Sequence, residues 1–166
     1  MDGVSLVICT FNGSQFLPKT IDHIIKQRVP TKIPWEVLFI NNASSDNTDE
    51  VIKQCWKSEI PMKIIPEEQK GLIYARLRGI KEARYDLISF IDDDNWICRN
   101  WVNEVYEVFH ANQDIGVCGS KNEAVYEITP PNWIKKIEHS FAVGEQAKIS
   151  GDVTNKKGSF GEQAYH

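Results

Sequence analysis

Asp92, Asp93 and Asp94 follow directly on the apolar run Leu87-Ile88-Ser89-Phe90-Ile91. A short run rich in β-branched and aromatic residues reads as a buried strand, so the acids emerge where that strand leaves the core. Three adjacent carboxylates repel one another and call for a positive partner. A ligand set made only of oxygen favours a hard cation, Mn2+ or Mg2+, over zinc. The competing reading is a solvated acidic turn, and the residues elsewhere on the same edge decide between the two.

Two further polar clusters close apolar runs in the same way. Thr10-Phe11-Asn12 ends the run from Val4, and Asn41-Asn42 ends the run from Trp35. In an open parallel sheet, ligands bind at the carboxyl ends of the strands, near the point where strand order reverses. Each cluster alone is ordinary turn chemistry; three on one edge make the convergent polar groups of a pocket. Lys70, Arg76 and Arg78, ahead of the acidic strand, offer positive charge to an anion or form a solvated basic face. No G-x-G-x-x-G follows the first strand and no G-x-x-x-x-G-K-[ST] occurs. A diphosphate here would therefore be held through a cation at the acids and not on a glycine-rich helix start.

The elements that must carry these clusters alternate. Val4 to Thr10 reads as a strand, with Ser14 as cap of a helix bearing Leu17, Ile21, Ile24 and Ile25 on one side. Trp35 to Ile40 is a second strand, and Asp46 to Trp56 a helix capped by Asp46 or Ser45. Met62 to Ile65 is a short third strand. Gly71 to Arg84 is a helix whose apolar stripe runs through Ile73, Leu77 and Ile80. Beyond the acidic strand, Trp101 to Phe109 is an amphipathic helix and Ile115 to Gly119 a further strand. Such alternation implies an α/β fold, a mostly parallel sheet with helices on both faces. After Pro130-Pro131, Trp133, Ile134, Ile137 and Phe141 lie on one side of a short helix, and Lys148 to Val153 is an expected strand.

Composition narrows the function classes. The 166 residues hold 42% hydrophobic and 25% charged residues, which suits one globular domain with a real core. A net charge of -4 without a basic stripe argues against nucleic acid as a partner. Cys9, Cys55, Cys98 and Cys118 are scattered, with no paired ligand spacing, as expected of free thiols. The first strand begins within a few residues of Met1, leaving no room for a signal peptide. No apolar stretch reaches the roughly 18 residues of a membrane span. The expectation is a cytoplasmic protein with no membrane span.

These residues together carry a resemblance. Val4-Ser5-Leu6-Val7-Ile8-Cys9-Thr10-Phe11-Asn12 resembles the opening of family 2 glycosyltransferases of the GT-A fold. Phe39 to Thr48 is similar to that family's second-strand signature. Gly71 with Ala75-Arg76-Leu77-Arg78-Gly79-Ile80 resembles the stretch between, and Ile88 to Asn95 its D-x-D region. The four stretches stand in the family's order over about residues 4 to 120.

The resemblance implies a GT-A, Rossmann-like domain over 1–120 and a partial acceptor-side extension of the same domain over 121–166. Its function would be to bind a nucleotide-diphospho-sugar with Mn2+ or Mg2+, a UDP-sugar first. The sugar would pass, with inversion, to an acceptor hydroxyl on a glycan or a lipid-linked acceptor. Residue by residue, it implies that Thr10, Phe11 and Asn12 flank the base and that Asn42 reads its edge. Asp92 and Asp93 would lie near the ribose or sugar, and Asp94, the last acid, would hold the metal. Lys70, Gly71 and Arg76 complete the implied donor site.

Two departures stand out. The family commonly has an acid where this chain has Asn42, which leaves the choice of base open. Inverting transfer also needs a general base, and Glu123, Glu127, Glu138 and Glu145 match no such context. The expectation is a chain carrying the donor half and little of the acceptor half. The alternative is a noncatalytic nucleotide-sugar-binding or scaffold module. Self-association through the exposed acceptor-side face is a further expected partner interaction. A response-regulator-like or phosphatase-like domain lacks the later Lys or Thr partner it would need.

Overall fold

The computed structural model describes residues 2–126, 128–137, 140 and 143. The chain divides into two compact units, Met1–Ala111 and Asn112–His166.

The first unit alternates strand and helix: β1 Val4–Thr10, α1 Leu17–Ile25, β2 Trp35–Asn41, α2 Thr48–Cys55, β3 Met62–Pro66, α3 Leu72–Glu82, β4 Leu87–Asp92 and α4 Trp101–Ala111. The strands form one parallel sheet in the order β3-β2-β1-β4. Chain order runs outward from β1 to β2 and β3, then returns to β4 on the other side. The reversal of direction lies between β1 and β4.

The two faces of β1 separate two cores, as the period of two in a strand requires. Val4, Leu6 and Ile8 pack with Leu17, Ile21 and Ile24 of α1, Ile52 of α2, and Val102 and Val105 of α4. Val7 packs on the other face with Leu38, Ile40, Ile65 and Ala75 of α3. Helices thus cover both faces, and the fold is α/β as expected. At the amino end of the sheet, buried Glu36 is satisfied: Ser5 Oγ donates to its Oε1 at 2.9 Å and the Arg84 amide at 2.7 Å.

Several expected details give way. Ser14 does not cap α1, which starts at Leu17 with Pro18 in its first turn; the amides of Phe16 and Leu17 both bond the Gly13 carbonyl and form the turn instead. Helix α2 starts at Thr48, because Asp46 accepts from the Thr48 amide and hydroxyl and so belongs to the turn before it.

The stripe of α3 is inverted. Ile73, Leu77 and Ile80 are 60%, 55% and 50% exposed, whereas Ala75 and Gly79 face the sheet. The small side is inward because α3 lies so close to β1 that a Cβ on Gly79 would run into Val7 Cγ1.

In the second unit, Ile115 to Gly119 is not a strand, and Val117 is 53% exposed. No neighbouring strand accepts its hydrogen bonds among the described residues, and the Ile115 amide bonds back to Asn112 in a turn. After Pro131, Ile134–Lys136 form a 3-10 turn, with Ile134 and Ile137 half-buried and Trp133 exposed. Phe141 and the expected strand Lys148 to Val153 lie outside the described residues.

Gly79→Ala tests the close approach of α3. Alanine gains up to about 1 kcal/mol of helix propensity, against about 1–3 kcal/mol for overpacking. The expected net is a loss of about 1 kcal/mol in denaturant unfolding.

Candidate functional site

The site is assembled by register. Cys9 pairs with Asp92 across β1 and β4, and Thr10 pairs with Asn41 across β1 and β2. Parallel neighbours lie about 4.8 Å apart, so the next residue of β4, Asp93, arrives beside Thr10. Thr10 Oγ1 donates to Asp93 Oδ2 at 2.6 Å, and Thr20 Oγ1 from α1 donates to the Asp93 carbonyl at 2.7 Å. Gly13 closes over this pair; a Cβ there would collide with both Thr10 Oγ1 and Asp93 Oδ2.

The three acids therefore differ. Asp93 is half-buried, whereas Asp92 and Asp94 are exposed. Burial raises the Asp93 pKa, and the charges of Asp94 and Asp92 add to the rise against the Thr10 hydrogen bond. Asp92 has Arg76 nearby, with Nη2 3.9 Å from Oδ1, and the Arg76 guanidinium also lies 5.7 Å from the centre of the Phe90 ring. Burial pushes the adjacent Cys9 thiol up to about 11; Arg76 opposes this, while Asp92 and Asp93 reinforce it. Cys9 is thus a neutral thiol at physiological pH, with no thiolate to act as a nucleophile.

The β1 and β2 loops are tied together by amides and hydroxyls. Asn12, with φ +54°, donates its amide to Ser44 Oγ at 3.0 Å and accepts the Ser45 amide on Oδ1 at 2.8 Å. The Ser14 amide donates to Asp46 Oδ2 at 3.2 Å. Phe11 is 52% exposed, with Lys70 Nζ 5.6 Å from its ring centre. Thr10, Phe11, Asn12, Lys70, Gly71, Asp92, Asp93 and Asp94 are all carried by loops or strand ends at the carboxyl edge. Arg76 lies on α3 but reaches Asp92. Arg78 does not join them; its Nε lies 3.1 Å from Glu82 Oε1, one turn along α3.

Residues 5–161 match the model of glycosyl transferase family 2. The chain belongs to that family. It is similar to the poly-β-1,6-N-acetyl-D-glucosamine synthase of Staphylococcus epidermidis, 24% identical over 163 residues, which are 96% of this chain and 39% of the synthase. Among solved structures it resembles S. aureus TarS in complex with UDP: TM-score 0.67, 19% identity, 80% of this chain and 39% of that one. It also resembles the mannosyltransferase PcManGT of Pyrobaculum calidifontis in complex with GDP-Man and Mn2+: TM-score 0.63, 20% identity, 74% of this chain and 36% of that one. These likenesses establish the GT-A fold. The chain spans 21% to 39% of the length of the first curated relatives it matches.

Within this family-2 domain, Asn42 ties the end of β2 to the loop before α3. It is 5% exposed; Nδ2 donates to the carbonyls of Glu67 at 3.2 Å and Gln69 at 2.7 Å, and Oδ1 accepts the Gly71 amide at 2.7 Å. Both its donors are thus spent on the loop before α3. That loop ends at Gly71, whose φ of +133° suits glycine.

Sequence reasoning missed Gly13 and Thr20. Thr20 sits on the buried side of α1, where a threonine reads as core packing. Gly13, between Asn12 and Ser14, reads as an ordinary turn residue, and only the neighbouring carboxylate shows why it has no side chain.

Among the described residues no three His, Cys, Asp or Glu side chains gather as a ready metal cage. The donor set still fits Mn2+ or Mg2+. Such ions are held by one or two carboxylates together with substrate phosphates, and Asp94 presents an exposed carboxylate of that kind. No described helix is long and apolar enough to cross a membrane.

Two outcomes follow from this geometry. Asn42→Asp puts a second acceptor against the Glu67 and Gln69 carbonyls and is expected to cost about 1–3 kcal/mol in urea unfolding. Asp93 has a raised folded pKa, so its ionised form weighs against the fold at neutral pH and its protonated form does not. Asp93→Asn is thus expected to be more stable than the wild type at pH 7. The difference should close as pH falls through the aspartate range, measured by melting at stepped pH.

Proposed function

We propose that the exposed acids at the β1/β4 reversal bind a nucleotide-diphospho-sugar with Mn2+ or Mg2+, and that the whole protein transfers the sugar to an acceptor hydroxyl with inversion. The carrying observation is the arrangement of Asp92 and Asp94, both exposed at the crevice where α/β sheets bind ligands. Family membership supports it. So do the UDP of the TarS complex and the GDP-Man and Mn2+ of the mannosyltransferase complex.

In this reading Phe11 gives the base an aromatic face, with Lys70 above it, while Asn12 holds the two loops at the spacing the base needs. Asp92 and Arg76 meet the ribose and diphosphate side. Asp94 holds the cation, which supplies Lewis-acid stabilisation to the departing nucleoside diphosphate. Arg76 adds a fixed positive charge to the same leaving group. A UDP-sugar is the first candidate donor. A glycan or lipid-linked hydroxyl is the acceptor class.

The proton of that hydroxyl needs a general base, and we assign none. Glu123 is exposed in the second unit. Glu127, Glu138 and Glu145 lie outside the described residues.

Thermal shift against UDP, GDP, CDP and dTDP, with and without Mn2+, identifies the base, since a ligand selective for the folded state raises the melting point. Asp94→Ala is expected to abolish the Mn2+-dependent part of nucleoside diphosphate binding in calorimetry without lowering the melting point. Unchanged affinity would remove the acids from the site. Donor binding without transfer to any acceptor, in the full-length protein, would favour a noncatalytic binding module.

A further inference from the structure

We propose that Asp93 is a positioning residue: Thr10 and Thr20 anchor it so that Asp92 and Asp94 face the donor, and Asp93 itself does not touch the donor. The inference rests on the nucleotide-sugar reading of the site and reassigns its middle acid from contact to support.

Two buried hydroxyls from different elements converge on this one residue. Thr10, 2% exposed at the end of β1, holds the Asp93 carboxylate, and Thr20, fully buried on α1, holds its carbonyl. One bond fixes the side chain and the other fixes the backbone, so both the direction and the height of the turn are set. The Gly13 backbone lies against this pair, so that even a Cβ there would collide with Thr10 Oγ1 and Asp93 Oδ2.

The flanking acids are the exposed ones. Asp92, the last residue of β4, has Arg76 of α3 beside it at 3.9 Å and not the threonines that hold Asp93. The Asn95 amide bonds the Asp92 carbonyl at 3.2 Å, closing a turn that carries Asp94 outward. An anchor of this kind fixes the turn that carries both exposed acids before a cation arrives, which is the preorganisation an electrostatic site needs.

Thr20 lies outside the binding residues, which makes Thr20→Val the cleanest variant: it keeps the shape and removes the hydroxyl. Calorimetry with UDP and GDP, with and without Mn2+, is paired with hydrogen exchange at the amides of Asp93, Asp94, Asn95 and Trp96. Thr20→Val is expected to weaken Mn2+-dependent affinity about tenfold, leave metal-free affinity unchanged and speed exchange at those amides. Thr20→Ser, which restores the hydroxyl, should recover both. Should Thr20→Val fold poorly, Thr10→Val is read by amide exchange alone, because Thr10 itself stands at the donor edge. Asp93→Asn, which still accepts the Thr10 hydrogen bond, should bind far better than Asp93→Ala.

Wild-type affinity in Thr20→Val with wild-type exchange in both Val variants would overturn the proposal, and so would an Asp93→Asn loss as large as that of Asp94→Ala. If the wild type binds no nucleoside diphosphate, the donor reading fails. Exchange then still decides the anchor, and unchanged rates in both Val variants refute it.

Discussion

β1 is hydrogen-bonded along both edges and buried on both faces, and the rest of the molecule is placed relative to it. Its seven residues pair with β2 on one side and β4 on the other. Parallel pairing in fixed register leaves little freedom in where the following loops begin. The β1 loop must emerge between the β2 loop and the acidic turn, and it therefore becomes the part to which both are tied. Thr10 shows the consequence most directly: it is the last residue of the strand, and its hydroxyl reaches across to Asp93.

The polar residues at this edge divide by burial. Thr10, Thr20, Asn42 and the Asp93 carboxylate sit where water is excluded or scarce, and buried polar groups must find partners. They find them in one another and in the backbone of the loops, which is why these loops hold their shape without apolar packing. Phe11, Lys70, Arg76, Asp92 and Asp94 stand further out. The Arg76 and Asp92 contact, at 3.9 Å between exposed groups, is weak. The exposed set therefore has few fixed partners, and the inner set joins the loops beneath it.

Helix α3 illustrates how far pattern reading goes. Ile73, Leu77 and Ile80 recur at helical spacing, and the element is indeed a helix. Which side faces the sheet was decided by separation and not by hydrophobicity: only Ala75 and Gly79 are small enough for the helix to lie against Val7. A large apolar side chain seeks burial, but it also sets a minimum distance, and the sheet between α1 and α3 enforces the shorter one. The segment Ile115 to Gly119 makes a related point. Its composition suits a strand, yet a strand exists only where a neighbour takes its hydrogen bonds.

The order of elements, the parallel sheet, the carboxyl-edge position of the polar clusters and the family were all legible in the chain of residues alone. They depend on local periodicity, on turn residues and on short ordered motifs, each contained within a few positions. The tertiary structure alone decided which member of each cluster turns inward. Asp92, Asp93 and Asp94 are chemically identical, and what separates them is a hydrogen bond from a residue 83 positions away. Asn42 is turned inward for the same reason, its partners lying 25 to 29 positions along the chain. Register and lateral hydrogen bonds join distant segments, and no local pattern of residues encodes them.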